Sequence, residues 1–175
     1  MTGFTACQQQ LRPEYFQRFP DHRVNTSSQK TVQYKNSHFA TQLPVDYLYS
    51  PSHCWIAQES EGVWRIGFTK FATRMLGEIV DHKIEVEPNG AVCVGQAIGW
   101  IEGFKAMSDI FCIAEGEFVE GNSRLQEQVE LVNKLPYSDG WLYKVRGKPD
   151  INCGNVEGYV NLLDKTIERM LEKQS

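Results

Sequence analysis

Lys105 is the side chain whose setting most invites covalent chemistry. It stands in the run Glu102-Gly103-Phe104-Lys105-Ala106, with Asp109 four positions on. An isolated lysine is ordinarily just a solvated charge, because burying an ammonium costs far more than leaving it in water. Here the small residues Gly103 and Ala106 leave the amine and its backbone unobstructed, and Glu102 and Asp109 flank it with carboxylates. Such an amine suits acylation by a separate ligase. The activated acyl donor supplies the driving force, so the carrier itself need not lower the lysine pKa.

The other reactive side chains carry weaker signals. His53 beside Cys54 has the makings of a thiol nucleophile and its base, but neighbours on a strand point to opposite faces, so no catalytic residue is assigned. The cysteines, Cys7, Cys54, Cys93, Cys112 and Cys153, are odd in number, widely spread and never spaced C-x-x-C. They read as free thiols packed as small hydrophobes, with no disulfide framework and no zinc site. Cys112 is the exception worth testing, because it lies near the Lys105 segment. His22, His38 and His82 show no metal-ligand spacing, and no metal is expected. Trp55, Trp64, Trp100 and Trp141 are assigned to the scaffold as packing units.

Around Lys105 the chain reads as a β-hairpin. Gly95 lies ten positions before the lysine and Gly116 eleven after it, and the apolar strands between them place Gly103 to Ala106 at the tip. Upstream, Gly62 to Phe68 is strand-like, Thr69 caps a short helix through Leu76 with Phe71 and Met75 on one side, and Gly77 ends it. Ile79, Val80, Ile84 and Val86 resume a strand. Downstream, Leu125 to Asn133 reads as one brief helix stopped before Pro136, and Trp141, Tyr143 and Val145 form one face of a last strand. From Val156 to Lys173 an apolar stripe of Tyr159, Leu162, Leu163, Ile167, Met170 and Leu171 predicts a final helix covering one end of the strands.

At 175 residues the chain holds one ordinary core with appendages. Residues 1–45 read as a polar N-terminal extension, partly docked at most, because Asn25 to Gln42 is too poor in apolar residues to order itself. Within it, Pro13 opens a candidate short helix bearing Leu11, Tyr15, Phe16 and Phe19. Residues 46–150 form the core, and 151–175 a C-terminal helix packed on it. The fold class is β-rich α+β, a flattened sandwich of short strands. Hydrophobic residues at 41%, charged residues at 23% and a net charge of −4 describe a folded chain without the positive field that attracts nucleic acid or anionic lipid. No apolar run approaches the roughly 20 residues of a membrane span, and no secretory start is present, so a cytoplasmic setting is expected.

The ordered set Tyr49-Ser-Pro-Ser-His53-Cys-Trp55, Gly62-Val63, Ile66-Gly67-Phe-Thr69, Leu76-Gly77-Glu-Ile79-Val80, Lys105-Ala106-Met-Ser108-Asp109, Glu130-Leu-Val-Asn133, Pro136-Tyr137 and Gly140-Trp141-Leu142 resembles the H protein of the glycine cleavage system in order and spacing. The likeness covers about residues 46 to 146. It implies a barrel-sandwich hybrid of the lipoyl and biotinyl carrier type, with lipoate on Lys105. The arm would place its dithiolane on the order of 14 Å from the Cα. Biotin carriers normally have Met on both sides of the lysine, and here the neighbours are Phe104 and Ala106. The resemblance therefore implies a non-enzymatic, lipoylated carrier whose partners are a lipoate ligase or lipoyl transferase and the enzymes the arm visits. Glu102, Gly103, Phe104, Ala106 and Asp109 would be the surface that ligase and partners recognise.

Three features depart from the family pattern. Gly103-Phe104 replaces the usual Ser-Val, Cys112-Ile-Ala114 stands where Ser-Pro-Val is common, and Cys54 replaces a common acidic residue. The first two changes sit where partners must touch. They tilt the expectation toward an H-like lipoate-binding protein serving sulfur oxidation with a heterodisulfide-reductase-like complex. The alternative is an H protein passing an aminomethyl group among the glycine cleavage enzymes. An unmodified H-like interaction protein is the reading of another class.

Overall fold

The computed structural model describes residues 29–173; the Pro13 helix expected from the sequence lies outside them. Three sheets make up the fold. The strands β3 (Leu48–Tyr49), β4 (Cys54–Ser60), β5 (Val63–Phe68), β7 (Ala91–Val92), β10 (Ala114–Gly121) and β11 (Tyr143–Pro149) form a six-stranded sheet in the order β3-β4-β5-β11-β10-β7. β6 (Ile79–Ile84), β8 (Ala97–Gly103) and β9 (Met107–Phe111) form a three-stranded sheet in the order β6-β8-β9. β1 (Thr31–Asn36) and β2 (Phe39–Pro44) pair as an antiparallel hairpin. The expectation of a flattened sandwich with short helices and a C-terminal helix is met.

Alternation drives the two larger sheets together. Ile56, Ile66, Phe118, Tyr143 and Val145 from one sheet meet Ile98, Ile101 and Ile110 from the other in a single buried cluster. Each such aliphatic side chain contributes about 1.5–3 kcal/mol of transfer free energy. Tyr143 also joins strands through its hydroxyl, which donates to Phe111 O at 3.0 Å and accepts from Ile113 N at 3.1 Å.

A second core forms on the other side of β4. The helix α3 (Val156–Glu172) lays Val156, Tyr159, Leu163 and Ile167 against Tyr49, Trp55 and Phe71. The same cluster takes in Tyr34, Phe39 and Leu43 of the β1–β2 hairpin. Thus residues 31–44, placed by composition in a polar extension, are ordered and docked. Three inward apolar side chains suffice, helped by Asp164 Oδ1, which accepts from Tyr34 OH at 2.7 Å and Asn36 Nδ2 at 3.0 Å. Burial and the Asp164 carboxylate push the Tyr34 hydroxyl up to about 12.

Other expectations need correction. Thr69 caps the helix α1 (Lys70–Leu76) as expected, but its buried positions are Phe71, Thr73 and Leu76, and Met75 is 45% exposed. The single helix expected from Leu125 to Asn133 is a 3-10 turn over Ser123–Gln126 followed by the short helix α2 (Leu131–Lys134). Trp141 precedes β11 and packs with the second core, away from the face of Tyr143 and Val145. No helix among the described residues is long and apolar enough to cross a membrane.

Candidate functional site

The hairpin β8–β9 carries Lys105 at its tip. Register pairs Glu102 with Met107, Trp100 with Asp109 and Ala97 with Phe111, leaving Phe104, Lys105 and Ala106 as the connection. Gly103 N donates to Ala106 O at 2.9 Å and closes the turn. Glu102, Phe104, Lys105, Ala106 and Asp109 are all exposed, Phe104 at 76%, whereas Gly103 is buried. Structure thus brings the expected recognition residues onto one end of one hairpin, with the Gly103 backbone beneath them.

The tip does not stand free. Lys105 N donates to Leu76 O at 2.9 Å, and Phe104 N donates to Glu78 O at 2.9 Å. The Lys105 stem lies on Gly77, where an added Cβ would meet Lys105 Cγ at 3.0 Å and Lys105 N at 3.1 Å. Gly77 has φ +85°, a conformation side chains rarely adopt, so glycine is required twice over at this position. Lys105 Nζ lies 3.5 Å from Arg74 O, at the C-terminal end of α1, where carbonyls favour a cation. No carboxylate pairs with Lys105 among the described residues. An exposed primary amine, held by its backbone and free of a salt bridge, fits the acyl group expected on it.

The bracing of the tip by α1 was not anticipated. The Leu76-Gly77-Glu pattern marked a helix end, but nothing in the local pattern showed that its carbonyls take the Lys105 and Phe104 amides. The position of Asn133 beside the tip's support was also not read from the sequence. Its Oδ1 accepts from Ile79 N at 2.8 Å and its Nδ2 donates to Gly77 O at 2.9 Å.

Among the described residues, His53, Cys54 and Cys112 are all engaged away from the tip. His53, at φ 62° before β4, shares a hydrogen bond with Tyr159 OH at 3.0 Å and packs on Phe71 at 4.6 Å between ring centres. Burial holds its pKa down at about 4. Cys54 faces the other core, and burial pushes its thiol up to about 12. Cys112 lies past the far end of β9, roughly 20 Å along the strand from the tip at about 3.4 Å per residue. Its thiol is fully buried, donates to Ala114 O at 3.1 Å, and has its pKa raised by burial. Cys93 is exposed, contrary to the expectation that the thiols pack as hydrophobes.

Two grooves among the described residues bear on the site. One of about 610 Å³ runs between the edge strand β6 and residues 118–129, and none of its lining residues belongs to the tip. The other, about 150 Å³ and lined by Phe39, Phe71, Met75, Ile167 and Met170, also includes Arg74, whose carbonyl lies beside Lys105 Nζ. The larger of these two grooves is therefore not where the candidate chemistry lies.

Comparison with known proteins points the same way. The family model described as "Glycine cleavage H-protein" matches residues 47–173. The glycine cleavage system H protein of Pectobacterium carotovorum is 37% identical over 128 residues, spanning 71% of this chain and 98% of that relative. The corresponding protein of Alteromonas mediterranea is 34% identical over 128 residues, with the same coverage of 71% and 98%. The crystal structure of a glycine cleavage system H protein from Mycobacterium marinum matches with a TM-score of 0.62 at 29% identity, covering 68% of this chain and 97% of that one. The β1–β2 hairpin lies ahead of the family match.

Proposed function

The chain belongs to the glycine cleavage H-protein family, and from that membership we propose that it is a non-enzymatic carrier with lipoate in amide linkage to Lys105, serving the glycine cleavage enzymes. The observation that supports the site is the tip itself: an exposed lysine with no carboxylate partner among the described residues, at a turn whose backbone is fixed to Leu76 and Glu78 by two hydrogen bonds. Modification joins Nζ to the acyl carbon of an activated lipoate, expelling the activating group and releasing a proton from the amine. The amide has no charge, so the attraction of the ammonium for Arg74 O weakens while the backbone anchors of Lys105 and Phe104 persist.

Lipoate supplies a disulfide that opens on two-electron reduction and a thiol able to carry the aminomethyl group. The chain supplies reach, presentation and docking. Phe104 and Met107 expose apolar surface beside Lys105, and Glu102 and Asp109 add carboxylates, which together make a mixed contact for the ligase and for glycine decarboxylase and aminomethyltransferase. The free thiols among the described residues fit a reducing, cytoplasmic setting.

The expectation that leaned to sulfur oxidation rested on Gly103-Phe104 and the Cys112 strand. The relatives reported above are glycine cleavage proteins, and the alternative reading is the better supported. Cys54 and Cys112 are committed to the core, which removes them as evidence for a special sulfur chemistry.

The direct test is intact mass and fragmentation of protein made with lipoate and a lipoate ligase. One added lipoyl group on Lys105 is the expected result. Lys105→Arg keeps the charge, folds, and takes up none. Modification at another lysine, or uptake by the Arg variant, contradicts the assignment.

A further inference from the structure

Between α1 and β6 the chain runs through Gly77-Glu78, a connector that enters β6 at Ile79. The backbone anchors of Phe104 and Lys105 pass through it or its neighbour Leu76. Leu76 O takes the Lys105 amide, Glu78 O takes the Phe104 amide, and Gly77 forms the floor under the lysine stem. A connector that holds a hairpin tip must itself be held from the opposite side. Asn133 does this with both ends of its amide, accepting from Ile79 N and donating to Gly77 O. Asn133 is in turn fastened to α1, since Lys70 Nζ donates to Asn133 O at 2.8 Å.

We propose that Asn133 is a positioning residue for Lys105: its side-chain amide locks the Gly77–Ile79 connector in the shape that receives the hairpin tip, and thereby sets the rate at which Lys105 is acylated. The inference rests on the carrier reading for its functional half and on geometry alone for its structural half. Asparagine is the fitting residue because one planar group offers a donor and an acceptor to two backbone groups two residues apart. Without it, Ile79 N–H and Gly77 C=O lose their partners, and a connector containing glycine has many other conformations to adopt. Lys105 N–H would then find Leu76 O only part of the time, and a ligase would meet a disordered target.

Two variants test this. Asn133→Ala removes both bonds. Asn133→Asp keeps the acceptor for Ile79 N–H but turns an oxygen toward the Gly77 carbonyl. Each apo protein is followed by amide hydrogen exchange and by ligation kinetics with lipoate ligase, well below its unfolding temperature. For Asn133→Ala, exchange at Phe104 and Lys105 should rise about tenfold, the scale of one lost hydrogen bond, while Ile101 and Ile110 keep wild-type protection. Ligation kcat/KM should fall by about the same factor, with Asn133→Asp between wild type and Asn133→Ala in both readouts. A uniform rise in exchange across β8 and β9, unchanged exchange at Phe104 and Lys105, or unchanged ligation despite local loosening would each overturn the proposal. If wild-type Lys105 takes no lipoate, the carrier reading fails by itself, and the exchange data still decide whether Asn133 holds the tip.

Discussion

Lys105 owes its availability to what is missing around it as much as to what is present. No carboxylate among the described residues pairs with it, and its stem rests on a glycine that cannot be replaced without contact at 3.0–3.1 Å. Gly77→Ala should therefore leave the sandwich folded but displace the tip, and ligation at Lys105 should drop before stability does; normal ligation with intact structure would count against the contact. His53 gives a separate prediction. Its folded pKa, about 4, lies below its ordinary value of about 6.5, so the unfolded chain binds the proton more readily. Stability contributed by the neutral imidazole is complete above about 6.5 and is lost as pH falls toward 4, at no more than about 1.4 kcal/mol per pH unit. His53→Asn keeps a residue that tolerates positive φ and removes the titration, so the acid limb of a stability–pH curve should flatten. An unchanged limb would assign it to other groups. Cys112→Ala, which removes only a buried sulfur, should cost about 1 kcal/mol and leave carrier transfer intact. Loss of transfer as complete as in Lys105→Arg would bring the thiol into the chemistry.

At the scale of elements, α1 is where the structure concentrates its function. Its N-terminal cap Thr69 shares a hydrogen bond with Tyr159 OH at 2.8 Å, so α3 steadies one end while the Lys105 tip hangs on the other. Arg74 extends this link to the N-terminal hairpin, donating to His38 O at 2.8 Å. Leu43 is fully buried beneath that hairpin. Leu43→Ala should destabilise the protein by about 2–5 kcal/mol, read by chemical denaturation, while ligation at Lys105 measured on the folded fraction stays near normal. A negligible stability change would mean the hairpin docks only loosely. The β8–β9 hairpin, the capped helix over 70–76 and the stripe of α3 were legible because each is written in local periodicity and caps. The β1–β2 hairpin was not, since Tyr34, Phe39 and Leu43 are diluted by polar residues and become a face only when α3 supplies the other wall. The Asn133 clamp was invisible for a related reason: its two partners lie 54 and 56 positions away, and only the fold brings them together.

The described residues pack around two cores, with Lys105 on a hairpin tip at their edge. Two cores, one between the larger sheets and one beneath α3, meet at α1, which contributes Leu76 to the first and Phe71 to the second. The candidate site needs little more than this, which is why an ordered set of short motifs identified the carrier while no single pocket did. The partner is decided at the exposed end, where Gly103-Phe104 departs from the usual Ser-Val. The most direct measurement is therefore made on the loaded protein. Lipoylated carrier is offered to glycine decarboxylase with glycine and labelled carbon dioxide, and entry of label into the glycine carboxyl group is followed, with the Lys105→Arg protein as control. The account predicts exchange that depends on the lipoylated protein and is absent with Lys105→Arg. No exchange from a protein whose lipoyl group on Lys105 is verified by mass would contradict its place in glycine cleavage.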